Sequence, residues 1–316
     1  AEVTGIAPEA LRSGKYRVKR SMPLTFHPAD PTMLLYATNV LWKTVNGGDS
    51  WSIISPDLSR ERPALPESIG DFRTPEMENM PRLGVIYALG PSPLDADVIW
   101  AGTDDGQLHL TRDGGKTWTD LTQNLTEMPR EAWIARIHAS RYQPGAAWVV
   151  VNNYRKGDYR PYLFRTGDYG KTWERMADET QVRGYTLSCL QDSQTPNLVF
   201  LGTEHGLWIS IDEGRNWVQF TNGFPSVSTM DLKIQESESA LIVGTFGRAI
   251  WILDDLTALH IDTSRLALYA GEIICIALLM GLLVIGALLL PACFLPQGGG
   301  WAAAQPREIS SAPIEV

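Results

Sequence analysis

The sequence predicts an all-β chain: a β-propeller of about five four-stranded blades, followed by one C-terminal transmembrane helix. Three observations carry this. An eight-residue pattern recurs four times before residue 218, a pair of β-rich segments stands ahead of each copy, and residues 273–290 form an apolar run without one charged or strongly polar side chain.

The octets are Thr44–Trp51, Thr111–Trp118, Thr166–Trp173 and Ser210–Trp217, which align without gaps as S/T-x-D/N-x-G-x-S/T/N-W. Position three is Asn46, Asp113, Asp168 or Asp212; position five is Gly48, Gly115, Gly170 or Gly214; position eight is Trp51, Trp118, Trp173 or Trp217. This is the chemistry of a hairpin turn. An Asx side chain accepts hydrogen bonds from backbone N–H groups of its own turn. Glycine supplies the positive φ of a tight connection. The hydroxyls close further backbone bonds, and tryptophan opens the next strand and buries a large ring. Each part stabilises a turn and none is a catalytic group, so the repeated aspartates read as structural rather than as calcium ligands or acids.

Ahead of the octets come the pairs Met33–Tyr36 and Val40–Lys43, Val98–Gly102 and Gln107–Leu110, Trp148–Val151 and Tyr162–Arg165, and Leu198–Gly202 and Leu207–Ile209. A fifth pair, Ala240–Thr245 and Ala249–Leu253, ends in Asp254-Asp255 where an octet would stand. Before each pair a further short alternating run is expected, such as Gly84–Leu89, Ile134–Ser140, Tyr185–Leu190 and Thr229–Ile234. Strand, turn, strand, octet, strand, repeated every ~45–65 residues, is the pattern of propeller blades. The last blade lacks an obvious fourth strand, for which 258–261 or the segment before Lys15 are the candidates.

The apolar run Ile273–Leu290 has the ~20-residue length that crosses ~30 Å of hydrocarbon. Glu272, one position before it, fits an interfacial carboxylate, and Pro291 marks an end or kink. The expected organisation is an N-terminal segment over 1–15, the propeller over 16–262, a transmembrane helix over 266–291 and a flexible tail over 292–316. Few Lys or Arg flank the span, so the positive-inside rule has little to count. The Ala1 start fits signal-peptide cleavage, although removal of an initiator Met before alanine leaves the same start; cleavage followed by a stop-transfer helix places the propeller outside the cytoplasm, periplasmic or otherwise, and the tail in the cytoplasm.

A formal net charge of −9 on 316 residues leaves no electrostatic footprint for nucleic acid. Cys189, Cys275 and Cys293 show neither zinc-ligand spacing nor a disulfide framework. The five histidines show no HxH or HExxH spacing, the serines lack a nucleophile elbow, and Asp104/Asp105 reads as a turn before Gly106 rather than as a glycosidase carboxylate pair. Arg82, Arg136 and Arg248 read as surface or strand-end arginines. The expectation is a non-enzyme without cofactor or metal.

What the chain offers is surface. Ser55–Pro81 is a Pro-rich, charged insertion carrying Arg60, Arg62, Asp71, Phe72 and Arg73; loops of this length are functional or disordered. Asn152–Tyr162 carries Tyr154, Arg155, Tyr159, Arg160 and Tyr162, the composition enriched at protein interfaces. Trp133, Tyr142 and Phe224 are candidates to extend an aromatic surface.

The octets resemble Asp-box repeats, also called bacterial neuraminidase repeats, of sialidases, sortilin-type receptors and the photosystem II assembly factor. The stretch from His27-Pro28 to Gly244-Thr245-Phe246-Gly247-Arg248 and Trp251–Leu256 is similar to the C-terminal propeller half of large bacterial sortilin-like "glycosyl hydrolase" proteins, and the resemblance covers about residues 15–260. It implies a propeller whose octets lie on the rim, away from the ligand face. A sialidase-type site would need an Arg-Ile-Pro motif, and Tyr16-Arg17-Val18-Lys19 lacks the proline. The resemblance to the assembly factor implies a membrane-anchored scaffold whose partners are subunits of a membrane protein complex, photosynthetic or respiratory, with the bilayer contacted through the C-terminal helix. The alternatives are a carbohydrate-active propeller enzyme and a sortilin-like peptide receptor.

Overall fold

Five antiparallel four-stranded sheets follow one another along the chain, each built in sequence order from an inner to an outer strand. The computed structural model describes residues 5–62, 65, 67–260 and 307–309. Blade 1 is β1 (Leu24–His27), β2 (Asp30–Ala37), β3 (Leu41–Thr44) and β4 (Ser52–Ile53). Blade 2 is β5 (Ile86–Pro91), β6 (Ile99–Thr103), β7 (Leu108–Thr111) and β8 (Thr119–Asp120). Blade 3 is β9 (Trp133–Ala139), β10 (Ala147–Asn153), β11 (Asp158–Thr166) and β12 (Glu174–Ala177). Blade 4 is β13 (Thr186–Gln191), β14 (Val199–Thr203), β15 (Gly206–Ser210) and β16 (Val218–Phe220). Blade 5 is β17 (Thr229–Gln235), β18 (Ala240–Thr245), β19 (Ile250–Leu253) and β20 (Arg307–Ile309).

In blades 2, 3 and 4 the second strands are apolar on both faces because each of these blades is sandwiched by its neighbours. Along β14, Val199 and Leu201 join the cluster shared with blade 3, whereas Phe200, with Leu198 just before the strand, joins the one shared with blade 5. Trp100 and Phe164 meet between blades 2 and 3, and Leu35, Leu41 and Ile99 between blades 1 and 2. Burying one such side chain contributes ~1.5–3 kcal/mol. Among the described residues the four clusters join blades 1–2, 2–3, 3–4 and 4–5, and none joins blade 5 to blade 1.

Each octet makes the connection between third and fourth strands by the same bonds. Asp113 Oδ1 accepts from Thr117 N at 2.9 Å and from Thr111 Oγ1 at 2.8 Å, its Oδ2 accepts from Thr117 Oγ1 at 2.6 Å, and Gly115 N donates to Thr111 Oγ1 at 2.9 Å. Asp168 repeats this with Thr166, Gly170 and Thr172, and Asp212 with Ser210, Gly214 and Asn216. In blade 1, Asn46 Oδ1 accepts from Ser50 N at 3.1 Å while its amide donates to Ser50 Oγ at 3.0 Å. Gly48, Gly115, Gly170 and Gly214 have φ of 98°, 96°, 77° and 83°.

The fourth strand of blade 5 is Arg307–Ile309, paired antiparallel to Ile250–Ile252. It is neither 258–261, of which Ala258 and Leu259 lie in a 3-10 turn, nor the N-terminal segment, and it comes from the stretch expected to be a flexible tail. The open backbone edge of β19 is the physical reason: any extended segment within reach satisfies it. That pairing sets 307–309 beside β19. The span expected over 266–291, with Glu272, Ile273 and Leu290, lies outside the described residues. Among the described residues no helix is long and apolar enough to cross a membrane.

Candidate functional site

Strand alternation divides the connections between two faces of the disc. The octets and the links from first to second strand lie on one, the octet face. The starts of the inner strands, the links from second to third strand and the links between blades lie on the other, the loop face. Both loops singled out in the sequence, 55–81 and 152–162, fall on the loop face, opposite the octets.

The loop face carries a ladder of rings. Tyr87 meets Trp133 edge-on at 4.4 Å between centroids, Trp133 lies 6.3 Å from Tyr154, Tyr154 stacks on Tyr185 at 4.7 Å, and Tyr185 lies 6.2 Å from Tyr159. Blades 2, 3 and 4 each contribute: Tyr87 lies in β5, Trp133 opens β9, Tyr185 directly precedes β13, Tyr154 comes from the β10–β11 connection and Tyr159 from the start of β11. The Arg155 guanidinium sits 3.9 Å above the Trp133 ring, a contact worth ~0.5–2 kcal/mol. Burial pushes the Tyr185 hydroxyl above its ordinary pKa, with the nearby Glu204 carboxylate adding to the shift. Glu204 in turn pairs with His205 at 2.9 Å.

Asp158 fixes the end of this loop. It accepts from Arg160 Nε and Nη2 at 2.9 and 3.0 Å and from the Tyr162 hydroxyl at 2.8 Å. The Arg160 bonds hold its carboxyl far below the usual carboxylate range. Burial, reinforced by Asp158, raises the Tyr162 hydroxyl to about 12. Tyr162 itself is 2% exposed and packs in the core between blades 2 and 3, so it braces the loop from inside instead of facing a partner. Beside it opens a cavity of about 580 Å³ lined by Asp158, Tyr159, Arg160, Glu179, Val182 and Arg183.

The insertion is anchored to the same face. Arg60 N donates to Asp105 Oδ2 at 3.0 Å and its Nε to the Asp105 carbonyl at 3.3 Å. Burial raises the Asp105 carboxyl, against the hydrogen bonds from Thr103 and Arg60 N. Arg17 and Arg82 converge on Asp57. Farther out Arg62 and Asp71 are exposed, Arg73 pairs with Glu78 at 3.2 Å, and Phe72 is 83% exposed. Asp104 accepts from Val85 N and pairs with Lys19, so both Asp104 and Asp105 are held by turn contacts. Arg136 pairs with Asp231 of blade 5 at 2.8 Å.

Of the other aromatic candidates, Phe224 is buried between blades 4 and 5, and Tyr142, on the octet side, donates to the Asp192 carbonyl. Tyr87 and Tyr185 were not singled out in the sequence. A signal existed for Tyr185: like Trp133, it stands one residue before the first buried position of an inner strand, Thr186 and Ile134 respectively.

No family model matches the chain, and no curated protein matches its sequence. Solved propellers do. An ancestral GH74 enzyme superposes with a TM-score of 0.53 at 15% identity, over 75% of this chain and 30% of that one. The β-propeller domain of Cps50 (Swd1) from Myceliophteria thermophila gives 0.50 at 13%, over 78% and 69%. YCF48 bound to D1 peptide gives 0.44 at 16%, over 68% and 58%. The chain therefore spans less than a third of the GH74 enzyme's length. At these identities the likeness is one of fold, an all-β propeller.

Proposed function

We propose that the chain is a non-catalytic propeller that scaffolds or assembles a membrane protein complex, with the loop face as its gripping surface and the four octets as Asp-box corners that hold the disc. The observation that carries this is the continuous ring ladder Tyr87–Trp133–Tyr154–Tyr185–Tyr159 with Arg155 upon it, contributed by three blades. Rigid Tyr and Trp rings with arginine are the side chains on which interface energy concentrates, and they lose little conformational freedom on binding. The adjoining cavity, with Arg160 and Arg183 facing Glu179 and Asp158, offers both charges to an extended polypeptide of a client subunit.

The apolar run 273–290 supplies membrane attachment in this proposal, with the propeller on the extracytoplasmic, periplasmic side. Attachment raises the local concentration of the disc and converts weak loop contacts into a stable complex.

The test is recovery from native membranes in mild detergent. The wild-type chain is expected in a large stoichiometric assembly, and a Tyr154→Ala/Arg155→Ala variant is expected to lose its partners while still melting cooperatively, at a temperature lowered only by the few degrees that the lost ring contacts account for. Migration of the wild type without co-purifying subunits defeats the proposal.

A further inference from the structure

We infer that blades 1 and 5 carry complementary docking faces, and that a second copy of this chain seats its blade 1 on blade 5, head to tail.

Blade 5 presents the same kind of face that blade 4 uses to hold blade 5. In blade 4, Gly202 pairs with Leu207 and Phe200 with Ile209; in blade 5, Gly244 pairs with Ile250 and Ile242 with Ile252. Ile242, Ile250 and Ile252 therefore stand where Phe200, Leu207 and Ile209 stand, facing away from the previous blade. Leu207 is buried against blade 5, whereas Ile250 is 49% exposed. Among the described residues, an apolar face that is buried at every other blade boundary has no blade against it here, with Ile250 exposed and Ile242 and Ile252 half-buried.

Blade 1 is built as a blade with a predecessor. Trp118 Nε1 donates to the carbonyl of Ile54, just past the outer strand of blade 1, and Trp217 Nε1 to the Met176 carbonyl of blade 3, so two of the three later octet indoles tie their blade to the outer edge of the one before, while Trp173 Nε1 donates to Gly170 of its own octet. Trp51 makes this bond with the Ile6 carbonyl at 2.7 Å. A Cβ on Gly48 would strike Ile6, as one on Gly115 would strike Ile54. The segment at Ile6 thus fills the rim position of a preceding outer strand, and Tyr16 continues the cover over Trp42 at 4.7 Å. The cover ends before β1, where Leu24 and Phe26 are 56% and 63% exposed.

The rim of the blade 1 face is filled and its inner part is open, while blade 5 offers an unmatched apolar face. The two surfaces differ, so the contact is heterologous: it closes a ring if the rotation allows and continues as a filament if not. Continuity with the four internal blade interfaces selects a blade as the occupant, and the chain itself is the source of a blade 1 face.

The experiment uses the full chain in mild detergent, with protein mass measured by light scattering up to about 100 µM. Mass is expected to rise with concentration from 35.0 kDa to at least twice that value. Phe26→Asp and Ile250→Asp are each expected to weaken association at least tenfold, whether the product is a closed ring or a filament. Mixing the two variants is expected to restore one-to-one dimers, because each retains the face the other lacks. Leu24→Ser and Ile252→Ser read the same faces if either aspartate variant fails to melt cooperatively. A wild type that stays at one chain mass, as another occupant or closure within one chain would give, overturns the inference. So does association indifferent to both substitutions, or a mixture that remains monomeric.

Discussion

The octet face and the loop face are made by the same strands, yet one repeats and the other varies. Four octets place the same carboxyl or amide oxygen, hydroxyl and glycine in the same bonds, whereas the loop face differs at each blade: Asn39, Asp104-Asp105, Tyr154–Arg160, Glu204-His205. Repetition marks where the fold has one geometric problem to solve many times. Variation marks where blade geometry leaves the side chains free for recognition.

Two glycines test this most severely. Gly115, in an octet, has φ +96° and its Cβ would run into the backbone of Ile54. Gly157, on the loop face, has φ +77° with nothing within 4 Å of a built Cβ. Gly115→Ala is expected to cost roughly 3–5 kcal/mol, strain and steric overlap together, and Gly157→Ala about 1 kcal/mol from strain alone. Urea unfolding of the two variants measures the gap. Equal losses would mean that the loop face is as tightly specified as the octets.

A smaller effect separates shape from charge within the octet. Asp212→Ala removes the acceptors of Ser210 Oγ, Asn216 N and Asn216 Nδ2 and is expected to cost about 1–2 kcal/mol. Asp212→Asn is expected to stay within about 0.5 kcal/mol, since turning the Asn216 amide gives the new amide an acceptor. Blade 1 already works this way, with Asn46 donating to Ser50 Oγ. A loss with asparagine as large as with alanine would make charge, not the bond pattern, the octet's requirement.

The same division explains what the sequence disclosed. Strand pairs and octets were legible because alternation, Asx turns and positive-φ glycines act over a few residues, and the strands read from the sequence match β2, β3 and their counterparts to within a few positions. The inner strand β1 was not read: Leu24–His27 is short and has no buried partner on one side, so its pattern is weak. β20 was illegible because its partner lies more than 50 residues earlier and only backbone complementarity joins them. The loop face was half legible. Tyr154, Arg155 and Tyr159 stood out by composition within one loop, whereas Tyr87 and Tyr185 belong to other blades and join the ladder only through the radial arrangement. Tyr162 was misplaced because composition alone does not distinguish the inward and outward residues of a loop that becomes a strand.

The smallest expected effect is also the one whose sign divides the faces. Hydrogen bonding by Thr117 lowers the Asp113 carboxyl to about 2. In Asp168 and Asp212 burial pushes upward, but the turn's donors outweigh it and both lie below the ordinary value. A carboxyl lower in the folded chain than its unfolded value, near 3.9, stabilises above that value and loses the contribution as pH falls. The octets therefore weaken from about pH 4 down toward 2. Asp105 on the loop face is raised by burial, so its contribution runs the other way: it is full below the unfolded value and is lost as pH rises through the folded one. Melting temperature followed from pH 3 to 8 is expected to fall at the acid end less steeply in Asp212→Asn than in the wild type. In Asp105→Asn the difference from wild type should shift in the variant's favour as pH rises past 4. Parallel pH curves for Asp105→Asn and the wild type would mean that burial leaves that carboxyl unshifted, and a difference that moves in the wild type's favour as pH rises would place it with the octets, so that the two faces would differ in sequence but not in electrostatics.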